Sequence, residues 1–151
     1  MTIYLGADHR GFKLKEHIKK FLLGKGYQAV DLGASQYAET DDYPDYAQAV
    51  ARKVAEDTEA GRGILICGSG VGVDIVANKF RGVHSAVAIS PDQVYAGRHD
   101  DGANVLSLAA DFIDEEEALK MVQIFLVTPF GTEPRYKRRL DKIIEIENFR
   151  E

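Results

Sequence analysis

Short apolar runs alternate with amphipathic segments along the whole chain, and this alternation restricts the fold more than any other feature of the sequence. Ile3 to Ala7 reads as a strand, and residues 12–24 read as a helix with Leu14, Ile18, Phe21 and Leu22 on one face and lysines opposite. Gly24 and Gly26 end that helix, and Tyr27 to Leu32 forms a second strand. Pro44 and Asp45 mark the start of a helix that runs to Thr58. Further strands are expected at Gly63–Cys67, Val83–Ile89 and Asn104–Leu108, with helices at Val73–Lys79, 92–98, 114–127 and 135–148. Strands separated by helices build a parallel sheet covered on both faces. The expected fold is therefore α/β: a three-layer α/β/α sandwich around a mostly parallel, five-stranded, Rossmann-like sheet. It forms one domain over residues 1–151, closed by a basic helix at about 135–148.

One junction carries chemistry. The strand Ile64-Leu65-Ile66 delivers Cys67 into a glycine-rich turn, and Gly68, Gly70 and Gly72 lead into the next helix. Such a junction presents free backbone N–H groups and the positive end of a helix dipole. A thiol in that field is favoured as thiolate, the reactive form. A buried cysteine is ordinarily a small hydrophobe. Cys67, however, stands at the carboxyl end of a strand, where open α/β sheets gather their ligands. The glycine spacing is not G-x-G-x-x-G and no Gly-Lys-Ser/Thr follows, so dinucleotide and phosphate-loop readings fail.

With 151 residues, 45% of them hydrophobic, the chain can bury a proper core. A net charge of −5 argues against a nucleic-acid footprint. A single cysteine excludes an internal disulfide and fits a reducing compartment. No stretch is long and apolar enough to span a bilayer, and the first residues lack a signal-peptide profile, so a cytoplasmic location with no membrane partner is expected.

In a parallel sheet, residues distant in sequence converge where strands end. The first strand ends in Gly6-Ala7-Asp8-His9-Arg10-Gly11, which makes Asp8 and His9 candidate neighbours of Cys67. Asp8 can equally serve as a helix cap, and His9 can bond a ligand oxygen or exchange a proton. His17 and His84 read as structural, and Asp41 and Asp42 as solvated or capping residues. The last helix carries Arg135, Arg138, Arg139 and Lys142, with Leu140, Ile143 and Ile144 as its expected buried side. Arg135 and Arg139 are four apart, share a face, and can form a two-arginine clamp on phosphate. The alternative is a solvated basic face. Anion cradle and clamp together point to a small phosphorylated substrate.

Across nearly its whole length the chain resembles the type B ribose-5-phosphate isomerases, a family that includes the galactose-6-phosphate isomerase subunits. The shared motifs are Gly-x-Asp-His-x-Gly-x-x-Leu-Lys at Gly6–Lys15, Asp42-Tyr43-Pro44, Ile66-Cys67-Gly68-Ser69-Gly70-Val71-Gly72, Ala77-Asn78-Lys79, Ala103-Asn104-Val105-Leu106 and Arg135-x-x-x-Arg139. The resemblance implies an aldose–ketose isomerase of the pentose phosphate pathway, working through an enediol. It implies Cys67 as the base, Ser69 beside it, and the Gly68–Gly72 amides (Gly70 and Val71 among them) around the developing enediolate. It makes Asp8, His9 and Tyr43 substrate contacts and Arg135 and Arg139 phosphate ligands. It also implies no metal or other cofactor, and a homodimer or tetramer whose active sites are shared between subunits.

The match departs from pattern between Ala96 and Asn104. Aligned without gaps on Ala103-Asn104-Val105-Leu106, the family's ring-opening histidine falls on Asp100 and its following asparagine on Asp101, with His99 one place early. Either His99 or Asp100 would open the ring, and Asp101 would face substrate hydroxyls. A second phosphate-contacting arginine of the family falls on Asp111, and the histidine after the first clamp arginine is Tyr136. Aspartates near a phosphate repel it, so another phosphorylated sugar, or a non-catalytic sugar-phosphate binder, is an open alternative.

Overall fold

A computed structural model describes residues 1–149; Arg150 and Glu151, the last two of the expected domain, lie outside the described residues. Five strands form one sheet: β1 (Thr2–Ala7), β2 (Gln28–Asp31), β3 (Gly61–Cys67), β4 (Ser85–Ala88) and β5 (Val105–Ala109). All pairings are parallel, in the order β2-β1-β3-β5-β4. Six helices connect and follow them: α1 (Phe12–Gly24), α2 (Tyr43–Glu56), α3 (Val71–Ala77), α4 (Pro91–His99), α5 (Glu115–Val127) and α6 (Pro134–Glu147). Each expected element is present, with ends displaced by at most two residues where caps and turns decide them.

The central strands are apolar runs because both their faces are covered. Ile64, Leu65 and Ile66 of β3 are all fully buried. On one face Ile3, Leu5, Ile64 and Ile66 meet Leu14, Ile18 and Leu22 of α1 and Met121, Val122 and Phe125 of α5. On the other, Leu65, Cys67 and Val105 meet Val50 and Val54 of α2 and Val73 and Ala77 of α3. Each such aliphatic side chain contributes about 1.5–3 kcal/mol by leaving water. The distribution follows from crossover handedness. The step from β1 to β2 runs one way along the sheet, and the steps β2 to β3 and β3 to β4 run the other. Right-handed connections therefore put α1 and α2 on opposite faces.

The connections leave β1 and β3 in opposite directions along the sheet, so these parallel neighbours form its topological switch point. Their carboxyl ends are level: Ala7 pairs with Ile66, and Cys67 with Ala109 of β5.

Helix α6 belongs to neither layer. It lies across the amino edge of the sheet, against the loops that enter β4 and β5. The Gly131 N–H donates to the His99 carbonyl (2.8 Å) just before α6, and at its far end Glu147 accepts from the Gly82 N–H (3.0 Å). Only Tyr136 of this helix is buried. The expected buried side is corrected here: Ile143 and Ile144 are exposed, because α6 meets an edge of loops and no sheet face.

Candidate active site

The turn after β3 is built around its thiol. Cys67 is 5% exposed and its Sγ accepts the Gly70 N–H at 3.1 Å. Gly70 has φ of +74°, a left-handed conformation that only glycine adopts without strain, and it folds the chain back over the sulfur. Val71 then starts α3, with its N–H on Ser69 Oγ at 3.3 Å. The turn is tied to the neighbouring strand by Ala110 N–H to the Cys67 carbonyl (2.9 Å) and Asp111 N–H to the Gly68 carbonyl (3.0 Å).

The turn after β1 lies alongside. Asp8 is buried, and its Oδ1 accepts the Arg10 N–H at 3.0 Å and the Gly11 N–H at 3.1 Å. These bonds close the turn ahead of α1, whose N-cap is Gly11 with no side-chain cap, so Asp8 is a turn residue that also lines the cleft. The cleft has about 570 Å³ and is walled by Cys67, Gly68, Ser69, Val71 and Gly72 with Asp8, Arg10, Tyr43, Ile75, Asp111 and Phe112. The ring of Tyr43 lies on Gly72, where a β-carbon would stand 2.7 Å from it.

His9 is held by a residue that sequence reading assigned to solvent or a cap. Asp41 Oδ1 takes both the His9 backbone N–H (3.0 Å) and its Nδ1 (2.7 Å), and the Asp41 side chain is only 7% exposed. Burial alone would raise the Asp41 carboxyl, but the His9 N–H and ring, with Tyr46, outweigh it and hold the carboxyl below its usual range. A carboxylate on Nδ1 fixes the imidazole orientation and leaves Nε2 for a ligand. The signal available in the sequence was the doubled Asp41-Asp42, of which only Asp42 opens α2.

A second cluster sits at the opposite edge. His99 ends α4, stacks on Tyr95 (5.2 Å, 12°), meets Tyr136 edge-on (5.3 Å) and shares Nδ1 with Asp100 Oδ1 at 2.7 Å. The His99 hydrogen bond, with help from Tyr136 and Arg135, holds the Asp100 carboxyl below its ordinary value. Arg135 lies over the Tyr136 ring at 4.9 Å and donates to its hydroxyl at 3.1 Å. His99, Asp100, Arg135 and Tyr136 thus form one group, with Arg139 exposed a turn further along α6. Asp101 is apart from it, lining a separate apolar cleft between α4 and β4. Arg98, unremarked in the sequence, is buried without a carboxylate. It donates to the Ala103 carbonyl at 2.6 Å, and burial pushes its guanidinium down to about 10.

These two groups do not meet within one chain. Gly63, four residues before Cys67, is level with Val105, the first residue of β5, and the His99 loop lies before that. At about 3.3 Å per residue, the thiol and the amino-edge cluster stand at least about 13 Å apart along the strands. Within one chain, Cys67 and the arginines of α6 therefore stand at opposite edges of the sheet. Two motifs prove to be structural: Asn78 joins α3 to Ser85, and Asn104 bridges Gly82 and His84. Among the described residues there is no group of three or more His, Cys, Asp or Glu placed to hold a metal ion, and no helix long and apolar enough to cross a membrane.

Residues 3–143 match the family model described as Ribose/Galactose Isomerase. A probable ribose-5-phosphate isomerase B of Mycoplasma genitalium is 42% identical over 146 residues, spanning 97% of this chain and 95% of that protein. The ribose-5-phosphate isomerase B of Mycobacterium tuberculosis H37Rv is 36% identical, spanning 100% and 93%. Among solved structures, the M. genitalium enzyme with bound ribulose-5-phosphate superposes with a TM-score of 0.94 at 42% identity, over 97% of this chain and 96% of that one. Ribose-5-phosphate isomerase B of Clostridium thermocellum gives 0.94 at 36% identity over 100% of both.

Proposed function

The chain belongs to the Ribose/Galactose Isomerase family, and on that premise we propose that it interconverts ribose 5-phosphate and ribulose 5-phosphate in the cytoplasm, at sites shared between two copies. The observation that carries this reading is the buried Cys67 thiol at the switch point, capped by the Gly70 amide and open to the cleft. On the open-chain aldose, Cys67 as thiolate takes the proton from C2. The C–H electron pair becomes the C1–C2 double bond, and the carbonyl pair moves onto O1. Amides of the Gly68–Gly72 turn, with Ser69, face that developing charge. The thiol returns its proton to C1 while the O2 proton passes to O1, which completes the ketose. His9, oriented by Asp41, and Asp8 hold substrate hydroxyls.

The phosphate clamp and the ring-opening group come from the second copy. Arg135, Arg139, His99 and Asp100 stand at the wrong edge of the sheet to serve their own Cys67. The exposed Ile143, Ile144 and Ile146 of α6, with Val71, Ile75 and Phe112 around the cleft, give two apolar surfaces for such an assembly. His99, whose ring is fixed between Tyr95, Tyr136 and Asp100, takes the ring-opening role. The case for a different sugar weakens, since Asp111 is ion-paired with Arg10 and does not face a ligand as a bare charge.

Complementation tests the shared site. Cys67→Ala and Arg135→Ala/Arg139→Ala proteins are each expected to be nearly inactive on ribose 5-phosphate. Mixed, unfolded and refolded together, they should regain about a quarter of the parental rate, because random pairing makes half the dimers mixed and each mixed dimer has one intact site. Recovery no greater than the sum of the two variants would reject sharing, and no isomerisation by the parent protein would reject the function.

A further inference from the structure

The Cys67 cleft contains one cation whose role is unassigned. Among the described residues, Arg10 is the only Lys or Arg lining it, and it leaves the turn after β1, where its own N–H is held by Asp8. Its guanidinium crosses the Gly68 backbone so closely that a β-carbon there would stand 2.6 Å from Nε and 2.8 Å from Cζ. No side chain therefore separates it from the Cys67 turn. Its Nη2 donates to Asp111 Oδ2, the single hydrogen bond its side chain makes among the described residues, so most of its five donors are unused. The side chain is 57% exposed on the open side of the cleft, and Asp111 is anchored in turn by its N–H on the Gly68 carbonyl.

We propose that Arg10 is the substrate-anion contact that the Cys67-bearing chain itself supplies, with Asp111 as the residue that positions it. This rests on the isomerase reading above and adds a specificity residue to it. An arginine held at one corner presents its remaining N–H fork in a fixed direction, which suits a phosphate oxygen pair better than a mobile lysine does. Asp111, which alone would repel a phosphate, serves as the tether. Gly68 leaves room for the guanidinium and the Asp111 carboxylate that lie on it. The neutral pair also explains how an aspartate is tolerated beside an anion site. The positive charge is carried on the β1 turn and reaches over Gly68 of the β3 turn.

Steady-state kinetics and direct phosphate binding test the assignment. Arg10→Ala should raise KM for ribose 5-phosphate about ten- to a hundredfold, the value of a charged hydrogen-bond partner, with a smaller fall in kcat. Inorganic phosphate should lose potency as a competitive inhibitor by a similar factor. Arg10→Lys should recover only part of the loss, and Asp111→Asn, which frees the fork, should raise KM by a few fold. Circular dichroism and melting confirm that each variant is folded. An Arg10→Ala protein with the parent's KM and phosphate inhibition would overturn the proposal. So would a fall confined to kcat, since Arg10 would then be a latch for the turn. If the parent proves inactive, the isomerase reading has failed. Calorimetric titration of inorganic phosphate into parent and Arg10→Ala still decides the anion site, with equal affinity overturning it.

Discussion

The two edges of the sheet are built by different means. At the carboxyl rim the turn after β1 is closed on itself by the Gly11 N–H on the Asp8 carbonyl, and the turns after β3 and β5 are joined through backbone, Ala110 to Cys67 and Asp111 to Gly68. The Cys67 sulfur is buried there and its cap is an amide. At the amino edge the group is held mainly through side chains, with His99 stacked on Tyr95 and edge-on to Tyr136, and with Asp100 and Arg135 closing it. The helix that carries half of this group buries only one of its residues. Backbone ladders fix a position without a partner, whereas an exposed amphipathic helix has apolar surface left to bury. The rim is thus preorganised by the fold of one chain, and the amino edge keeps apolar surface that the proposed assembly would bury.

The largest effect that separates the edges is chemical. Cys67→Ala should lower kcat by about 10³-fold or more, in the range for a lost acid–base group, with little change in KM. Loss of the clamp by Arg135→Ala should fall mainly on KM, by about ten- to a hundredfold. Rates of ribulose 5-phosphate formation and of solvent deuterium entry at the reacting carbons measure both. A Cys67→Ala protein with more than a tenth of the parental kcat would break the division of labour between the edges.

A smaller effect tests how the rim orients its histidine. Asp41→Asn removes the charge that holds His9 through Nδ1 and should lower kcat/KM about tenfold. It should also change acid stability. The Asp41 carboxyl is held below its usual range, so its stabilising effect is complete above the ordinary carboxylate value of about 4 and is lost as pH falls through the lower folded value. Melting temperatures followed from pH 6 to pH 2.5 should therefore fall more steeply for the parent than for the variant. Parallel curves would mean that the His9–Asp41 bond contributes nothing to the rim.

Most of the fold was legible because the periods are clean. Leu14, Ile18 and Leu22 are the buried stripe of α1, and Ile64 to Ile66 is a strand with both faces covered. The rim was legible through Asp8 and Cys67, since parallel strands bring their carboxyl ends together whatever the sequence separation. What failed was α6: its pattern says that one face is apolar and cannot say against what, and the structure leaves Ile143 and Ile144 bare. Asp41, Arg10 and Arg98 were missed for a related reason. Their roles depend on contacts across 32, 101 and 30 residues, to His9, Asp111 and Thr128, and no local period encodes such pairs.

The smallest expected effect reads a half-buried carboxylate under the sheet against a more exposed one at the amino edge by pH. Asp74 of α3 accepts the Ser85 hydroxyl at 2.7 Å beneath β4 and β5, and Ser85 in turn meets Ser107 at 3.0 Å. Burial raises its carboxyl above the ordinary value, and hydrogen bonds from Ser85, Ser107 and Asn78 offset this only in part. Between the ordinary value and the raised one, the folded chain binds more protons than the unfolded chain. Stability from this group is therefore greatest at low pH and declines as pH rises through the folded value. Asp100 at the amino edge is shifted the other way by His99, so its contribution is present at neutral pH and declines in acid. An asparagine at position 74 keeps a carbonyl for Ser85 and carries no charge. Asp74→Asn should then melt a few degrees above the parent at pH 7, and the gap should close as pH falls through the raised folded value and the parent's carboxyl protonates. Asp100→Asn should show the reverse order, with a small loss at pH 7 that vanishes in acid. If both variants respond to pH alike, the half-buried Asp74 and the more exposed Asp100 do not differ electrostatically, and the burial of Asp74 leaves no mark on the titration.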